Sequence, residues 1–316
     1  MRYSGHIKLP QIGKKGQRII EKRSVSIVGV GALGTICAEL LARAGIGSLA
    51  LIDRDMVEPS NLQRQTLFTE DDIGKPKVSA ARRRLMKVNS GVRVIAHESN
   101  ITSDNAGILW GDLILDCTDN LATSRVLNDY CRQKKIPLVY AACAGTVGLV
   151  YTVLPEGPCL ECMYTDKRDH ACNDTGILNA AAAATGALQA AEAIKVLVGE
   201  KAGMLIRCDI WRNEFRTIHV PKNPNCPACT RSGDLGFTIQ KCKTKAAYSV
   251  KPKRNIQLDL DQIRNKFTVV ADTPILLVIK EADEIIVHNY GELLFKTLED
   301  KCRIEEIAKR IYEAGK

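Results

Sequence analysis

Residues 24–53, SVSIVGVGALGTICAELLARAGIGSLALID, decide the fold class of this 316-residue chain. SVSIVG (24–29) has the apolar composition of a short buried strand, GTICAELLARAG (34–45) predicts a helix that ends at Gly45, and LALID (49–53) predicts a second strand. Strand, helix and strand in this order open a doubly wound α/β sheet.

The same alternation continues along the chain. Further strands are predicted at 92–97, 112–117 and 137–142, and helical stretches at 75–88 and 121–134 separate them. Because helical crossovers join parallel strands, we expect a mainly parallel, Rossmann-like sheet.

The second half of the chain departs from this alternation. We expect an Ala-rich helix over about 178–198 and then a hairpin of strands within 205–220. Composition shifts at 231–254, where Gly, Lys and Pro dominate, and beyond it three short strands precede a helix at 303–314.

These observations predict two domains, which also fits the usual size of about 150 residues per domain. The first comprises residues 1–235 and carries the α/β sheet, and the second is a small α+β domain of residues 236–316.

Composition and charge exclude several classes of protein. A chain that is 45% hydrophobic and 26% charged is globular rather than disordered or collagenous. Most of the net charge of +9 lies in residues 1–23, with seven bases and one acid, and in residues 241–254, with six bases and no acid. We interpret both as solvated basic edges, which disfavours a nucleic-acid partner.

No targeting or membrane segment is recognised. The N-terminus lacks an apolar signal region, and the Ala-rich stretch contains Gln189, Glu192 and Lys195. We therefore expect a soluble cytoplasmic protein without membrane contact. Because thiols stay reduced in that compartment, paired cysteines indicate metal binding or catalysis before disulfides.

A glycine motif follows the first strand. Gly29, Gly31 and Gly34 have the spacing G-x-G-x-x-G at the start of a helix, and Asp53 ends the next strand. Such glycines allow the backbone to approach phosphates at a helix N-terminus, and the acid can bind ribose hydroxyls. Taken alone, the motif predicts a nucleotide site and would make a nicotinamide or flavin dehydrogenase the default interpretation.

The segments that follow are more specific. They are RYSGHIKLPQIG (2–13), DRDMVEPSNLQRQ (53–65), IGKPK (73–77), DCTDN (116–120) and AGTVG (144–148). Together they resemble the ubiquitin-activating-type adenylyltransferases of the ThiF/MoeB/HesA family, and in particular the enzymes that activate sulfur-carrier proteins. The resemblance covers about residues 2–230.

The resemblance implies ATP and Mg²⁺ as ligands, and the residue types suit them. Attack of a carboxylate on the α-phosphate needs positive groups to spread developing charge, which Arg64 and Lys77 supply, while the carboxylate of Asp119 suits Mg²⁺. We expect these three residues to be catalytic. The nucleotide-binding set that the resemblance implies is Gly29, Gly31, Gly34, Asp53, Asp55, Asn61, Arg64, Gln65, Lys77 and Asp119.

Two CxxC pairs predict a metal site. Cys159 and Cys162 form the first pair, and Cys226 and Cys229 the second. Four thiolates suit tetrahedral Zn²⁺ in a closed structural site without an open catalytic position. Iron–sulfur ligation is the alternative.

A further cysteine, Cys172, precedes a helix that we expect to begin near Gly176. A helix N-terminus and nearby cations lower a thiol pKa, and the resemblance implies that this cysteine forms a thioester or acyl disulfide with the activated carrier. An inert loop thiol is the alternative. Cys37, Cys117 and Cys143 lie in apolar contexts and are expected to be small core residues.

One position departs from the family pattern. Related enzymes read RYSRH where this chain has Gly5, and the resemblance implies that the missing arginine reaches the phosphates of the partner subunit. Arg2, a nearby lysine or a different partner would have to replace it, or activity is reduced.

We therefore expect ATP-dependent adenylylation of the C-terminal carboxylate of a small ubiquitin-fold carrier ending in Gly-Gly. The resemblance implies a homodimer. Two alternatives stay open. One is adenylylation of a small-molecule or tRNA-bound carboxylate, and the other is a scaffold that binds ATP without turnover.

Overall fold

A computed structural model describes residues 2–164, 176–200, 202–224, 226–230, 237–241, 248–252 and 256–315. The chain divides into two compact units, residues 1–230 and residues 231–316. Cys172 lies outside the described residues.

The first unit alternates strands and helices. Its helices are α1 (Ser4–Lys8), α2 (Gly13–Ile20), α3 (Ala32–Ala44), α4 (Lys77–Val88), α5 (Leu121–Lys134), α6 (Leu160–Met163), α7 (Asn179–Val198) and α8 (Pro227–Thr230). Its strands are β1 (Ser24–Val28), β2 (Ser48–Asp53), β3 (Arg93–Glu98), β4 (Leu113–Asp116), β5 (Leu138–Ala144), β6 (Val147–Val153), β7 (Leu205–Asp209) and β8 (Glu214–Ile218).

These strands form one eight-stranded sheet in the order β3-β2-β1-β4-β5-β6-β7-β8. The strands from β3 to β5 are parallel, whereas β5 to β8 pair antiparallel. The expected Rossmann-like parallel sheet is therefore present in the first half. The antiparallel strand β6 was not expected, and it forms because the chain reverses at Gly145, whose φ is +59°.

Helices cover both faces of this sheet. On one face α3, α4 and α7 share a core with the strands, which includes Leu41, Leu85 and Ala193. On the other face Leu127 of α5 packs with strand residues and with the cysteine-rich segments. The carboxyl ends of β1, β2, β3 and β4 open between these layers, where ligands bind in open α/β sheets.

Helix α7 is long and apolar enough, by length and composition, to cross a membrane, but half of its apolar window is buried in the fold. Gln189 and Glu192 on this helix are buried, and Glu192 accepts a hydrogen bond from Thr152 of β6 at 3.1 Å. These contacts identify α7 as a core helix of the first unit. It spans Asn179–Val198, which confirms the helix expected over about 178–198, and it begins three residues after Gly176.

The second unit is α+β, as predicted, but its described residues contain six strands and two helices where three strands and one helix were expected. Its elements are β9 (Phe237–Lys241), β10 (Tyr248–Pro252), α9 (Leu260–Arg264), β11 (Thr268–Thr273), β12 (Leu276–Lys280), β13 (Glu284–His288), β14 (Leu293–Phe295) and α10 (Lys301–Ala314). The strands form an antiparallel sheet in the order β11-β12-β13-β14-β10-β9. Ile304, Ile307 and Ile311 of α10 pack in one core with apolar strand residues such as Phe295.

Candidate functional site

The glycine turn between β1 and α3 is shaped by close backbone packing. Gly29 has φ +87°, and a Cβ there would lie 2.6 Å from the carbonyl oxygen of Cys117. A Cβ at Gly34 would lie 1.9 Å from the carbonyl oxygen of Gly29. At Gly31, the N-cap of α3, the nearest atom would be 3.7 Å away. Gly29 and Gly34 are therefore required by packing, whereas Gly31 leaves space for a ligand at the helix N-terminus.

Asp53 ends β2 beside this turn, and backbone donors hold its carboxylate. Oδ2 accepts a hydrogen bond from the amide of Val30 at 2.6 Å, and Oδ1 accepts one from the amide of Asp55 at 2.8 Å. The carboxylate is thus fixed at the carboxyl ends of β1 and β2, where an acid can bind ribose hydroxyls.

The SNLQRQ segment starts in a short 3₁₀ turn, Pro59–Asn61, and places two amides inside the protein. Asn61 is buried and its Oδ1 accepts a hydrogen bond from the amide of Glu58 at 3.2 Å. Gln65 is 4% exposed, and its Oε1 has no hydrogen-bond partner among the described residues. Arg64 is half-buried and donates from Nη1 to the carbonyl of Ser60 at 2.9 Å.

Lys77 is the first residue of α4 and is buried, with 6% of its surface exposed. Its Nζ lies 3.0 Å from Oδ2 of Asp55. A buried cation at a helix N-terminus is unfavourable by itself, so the carboxylate of Asp55 stabilises it. The sequence motif predicted both residues in the nucleotide site but did not predict that they pair with each other.

The loop after β4 contains one buried and one exposed carboxylate. Asp116 is fully buried, and its Oδ1 accepts hydrogen bonds from the amide and the hydroxyl of Thr118 at 3.0 and 2.8 Å. Burial raises the pKa of Asp116 to about 6, and the charge of Asp119 adds to this. Asp119 is exposed, and Asn120 caps α5 by accepting a hydrogen bond from the amide of Thr123 at 2.8 Å.

Two clefts meet at this loop. The first, of about 200 Å³, is lined by the glycine turn and by Asp53, Arg54, Asp55 and residues 99–101. The second, of about 460 Å³, is mostly apolar but includes Arg64, Gln65 and Asp119. Its apolar wall includes Tyr140, Ala142, Val147, Leu149, Tyr164 and Ile177. Because residues 117–120 line both clefts, we call the first the nucleotide cleft and the second the apolar cleft.

A buried amide supports the floor of these clefts from α7. Gln189 donates from Nε2 to the carbonyls of Asp116 at 2.8 Å and Val139 at 2.9 Å. Its Oε1 lies 3.2 Å from Sγ of Cys37 and 3.3 Å from Sγ of Cys117. Cys37 and Cys117 are buried as expected, whereas Cys143 is only half-buried and lines the apolar cleft. The sequence signal that could have indicated this role is the presence of a polar residue, Gln189, within an Ala-rich helix.

The structure brings the two CxxC pairs together. The Sγ atoms of Cys159 and Cys162 lie 3.9 Å apart, and the sulfurs of the two pairs approach to 3.6 Å (Cys159–Cys226) and 3.5 Å (Cys162–Cys229). All four sulfurs lie within 4.8 Å of one another. A tetrahedral Zn²⁺ with bonds of about 2.3 Å would place sulfurs about 3.8 Å apart, so the donor set fits this ion.

Two expected features depend on residues near the N-terminus and in the 165–175 segment. Cys172 cannot be related to either cleft, because it lies outside the described residues. Gly5 lies in α1 with open space around it. Arg2 donates to Oδ1 of Asn89, which caps the C-terminal end of α4, whereas Lys77 stands at the other end of that helix. Arg2 is therefore engaged away from the nucleotide cleft of its own chain.

The glycine turn, the fixed acid and the buried cation are the features expected of a nucleotide-binding α/β protein, and the cysteine cluster could hold a metal ion. Comparison with known proteins narrows this class. The profile of the ThiF family matches residues 3–228, and the chain belongs to this family.

Relatives extend the match. The chain is 35% identical to the sulfur carrier protein ThiS adenylyltransferase of Bacillus subtilis, over 97% of both chains. It is also 35% identical to the SAMP-activating enzyme E1 of Haloferax volcanii, over 73% of this chain and 89% of the relative. These names confirm the expected family and the expected enzyme class, an adenylyltransferase.

Solved structures agree with the fold. The structure of E. coli MccB with ATP has a TM-score of 0.65 and 25% identity, and it covers 72% of this chain and 73% of MccB. The structure of MccB with MccA-N7isoASN has a TM-score of 0.64 and 26% identity, and it covers 72% and 75% of the two chains. The likeness supports the mixed α/β Rossmann-like assignment.

Proposed function

We propose that the protein uses ATP to adenylylate the C-terminal glycine carboxylate of a small ubiquitin-fold sulfur-carrier protein. The observation that carries the proposal is the meeting of a polar cleft and an apolar cleft at residues 117–120. A nucleotide and an acyl tail that occupied these clefts would have their reacting ends at the same loop. The relatives named as activating enzymes of sulfur-carrier and SAMP proteins support this substrate class.

In the proposed complex the phosphates of ATP lie at the turn that contains Gly29 and Gly31, against the N-terminus of α3. Asp53 accepts hydrogen bonds from the ribose hydroxyls. Asn61 and Gln65 are proposed to bind the nucleotide through their amides. Gln65 lines the apolar cleft, and its unpartnered Oε1 is an acceptor that a ligand can use. Gly34 has a different role, since it lets α3 pack against the turn.

The reaction transfers the adenylyl group to the carboxylate. A carboxylate oxygen attacks the α-phosphorus, the bond to the β-phosphate oxygen breaks, and pyrophosphate leaves with the electron pair. The guanidinium of the half-buried Arg64 and the ammonium of Lys77 stabilise negative charge on the phosphates. Asp119, exposed where the clefts meet, would hold Mg²⁺, which supplies further neutralisation of the phosphates.

The carrier tail is proposed to enter the apolar cleft, and the carrier body to dock beside it. Strand β6 supplies Val147 and Leu149 to the cleft wall, and β7 and β8 extend the same sheet away from it. On that hairpin Trp211 is 75% exposed and Phe215 is 61% exposed. We propose that these two exposed aromatic side chains contact the carrier body, since aromatic residues are enriched at protein interfaces.

We further propose that residues 1–235 form the adenylyltransferase domain, that the four clustered thiolates hold a structural Zn²⁺, and that residues 236–316 form a separate small domain. The protein is proposed to act as a homodimer in the cytoplasm. In a second step the thiol of Cys172 attacks the acyl-adenylate carbonyl, so that a thioester forms and AMP and a proton leave.

The test is pyrophosphate exchange into ATP with a panel of carriers that end in Gly-Gly. We expect exchange with at least one carrier and none with the same carrier lacking its last glycine. The variant Trp211→Ala should raise KM for the carrier about tenfold, because an exposed aromatic anchor is lost, with KM for ATP unchanged. Arg43→Ala, an exposed arginine of α3 that pairs with Glu39 at 2.6 Å, is the matched surface control.

Three outcomes would contradict parts of the proposal. Binding of ATP without exchange on any carrier would favour a scaffold. Exchange driven by a small carboxylate or by tRNA would replace the substrate class. If Cys172→Ala still forms the covalent carrier intermediate, the second step is wrong.

A further inference from the structure

A cation that the nucleotide motifs do not assign lines the nucleotide cleft. Arg54 lies between Asp53 and Asp55, and 69% of its side chain is exposed. Its Nε lies 3.8 Å from Oδ1 of Asp55, and its guanidinium makes no hydrogen bond among the described residues. Because the side chain is exposed, water can satisfy the five N–H donors of the guanidinium. Arg54 is therefore available to contact a ligand in the cleft.

The neighbouring charges already form a closed pair. Asp55 holds the buried Lys77 at 3.0 Å through Oδ2, and Lys77 is on the α4 side of this carboxylate. The longer contact of Arg54 is made to the other oxygen, Oδ1. Because an exposed ion pair contributes little, Arg54 can leave Asp55 without a large penalty, whereas Lys77 cannot.

The strand order places the cleft residues in sequence along the carboxyl edge of the sheet. The phosphate-binding turn follows β1, Asp119 follows β4 on one side of β1, and Arg54 follows β2 on the other side. Beyond β2 the cleft is closed by residues 99–101, which follow β3. If the ribose binds at Asp53 and the phosphates bind at the glycine turn, as proposed above, the base lies on the β3 side of Asp53. Arg54 therefore lies at the base end of the cleft.

We infer that Arg54 packs its planar guanidinium against the face of the purine base when ATP is bound. The inference rests on the proposed function only for the identity of the nucleotide. A guanidinium stacks on aromatic rings through its delocalised plane, which an ammonium does not reproduce. Arg54 is then a binding residue for the base rather than a further phosphate cation.

Three variants at one exposed position separate stacking from charge. Arg54→Ala should weaken ATP binding about fivefold to tenfold, in the range of a cation–π contact that loses part of its water. Arg54→Tyr, which keeps a flat ring without the charge, should bind within about twofold of the original protein. Arg54→Lys, which keeps the charge without the planar group, should bind ATP about as weakly as the alanine variant.

The measurement is direct titration of the full chain with ATP by calorimetry, with Arg43→Ala as the control for loss of a surface arginine. Recovery of affinity by lysine, or failure of tyrosine to recover it, would overturn the inference, as would an alanine variant with unchanged affinity. A protein that binds ATP normally but adenylylates no carrier would contradict the proposed function. The ATP affinities of the Arg54 variants could still be compared in that case.

Discussion

The nucleotide cleft and the cysteine cluster are both small sites in the first unit, but different forces hold them. The cleft is assembled by backbone atoms in contact, as at Gly34, where a Cβ would lie 1.9 Å from a carbonyl oxygen. The cluster is assembled by four side-chain sulfurs from two distant segments, at distances of 3.5–3.9 Å that exclude S–S bonds. We therefore expect added atoms in the nucleotide cleft to lower the stability of the protein, and we expect removal of a metal from the cysteine cluster to do the same.

Loss of a cluster ligand should have the largest effect. Cys226→Ser removes one of four thiolates, and we expect the bound zinc, one ion per chain, to be lost together with at least about 5 kcal/mol of unfolding free energy. The measurements are metal content by mass spectrometry and urea unfolding. Cys143→Ser, a half-buried thiol outside the cluster, is the control and should retain the metal.

The outcome that would break the comparison is a Cys226→Ser protein with unchanged stability, or an original protein purified without metal and equally stable with and without added zinc. Either result would mean that the sulfurs are held by their surroundings, as the nucleotide cleft is. If the protein contained iron in place of zinc, the cluster would still be held by a metal, and only the identity of the ion would change.

An added methyl group in the glycine turn should have the next largest effect. Gly34→Ala places a Cβ inside the carbonyl of Gly29, so that α3 must move away from the turn, and we expect a loss of about 3 kcal/mol or more. Gly107→Ala is the matched control, since a Cβ there has no atom within 4 Å and its φ is not positive. Urea unfolding should show no loss for the control.

Equal stabilities of the two alanine variants would show that the turn adjusts to an added atom. The nucleotide cleft would then owe its shape to side chains such as Asp53, whose carboxylate binds the amide of Val30 at 2.6 Å, and not to close backbone packing.

The same contrast explains how much of the sites could be predicted from the sequence. The glycine turn is local, so its spacing and the acid at the end of β2 are visible in one contiguous stretch. The cysteine cluster joins distant segments, but the CxxC spacing is specific enough to predict their meeting. The structure then supplies the four sulfur positions.

What the sequence could not predict depends on contacts between elements. The pairing of Lys77 with Asp55 and the support of the clefts by Gln189 follow from tertiary packing, for which single residues give only a weak signal. The antiparallel strand β6 was missed because its apolar run begins within AGTVG (144–148), which was interpreted as part of the family resemblance. A buried hydrogen bond at 2.9 Å, from the amide of Leu160 to Oδ1 of Asn128 on α5, likewise connects the cluster to the helix that starts at the nucleotide loop.

The smallest of the three effects concerns charge at the nucleotide cleft. Asp116 is fully buried beside this cleft, and its Oδ2 has no hydrogen-bond partner among the described residues. Burial raises its pKa from 3.8 to about 6. Because the folded protein then binds the proton more tightly than the unfolded chain, this group stabilises the fold at low pH, and that contribution is lost as pH rises through about 6.

We therefore expect Asp116→Asn to remove a pH-dependent term from stability. Between pH 5 and pH 7.5 the original protein should lose about 1.4 kcal/mol relative to the variant in urea unfolding. Asp72→Asn is the control. Slight burial of Asp72 acts to raise its pKa, but hydrogen bonds from Thr69 and the charge of Arg83 outweigh this and lower it, so its contribution is constant above pH 5. If the original protein and Asp116→Asn gave parallel curves, the carboxyl would be ionised at all these pH values, and water or a ligand would have to reach Oδ2. Water would then enter the nucleotide cleft to a depth that its close backbone packing does not predict.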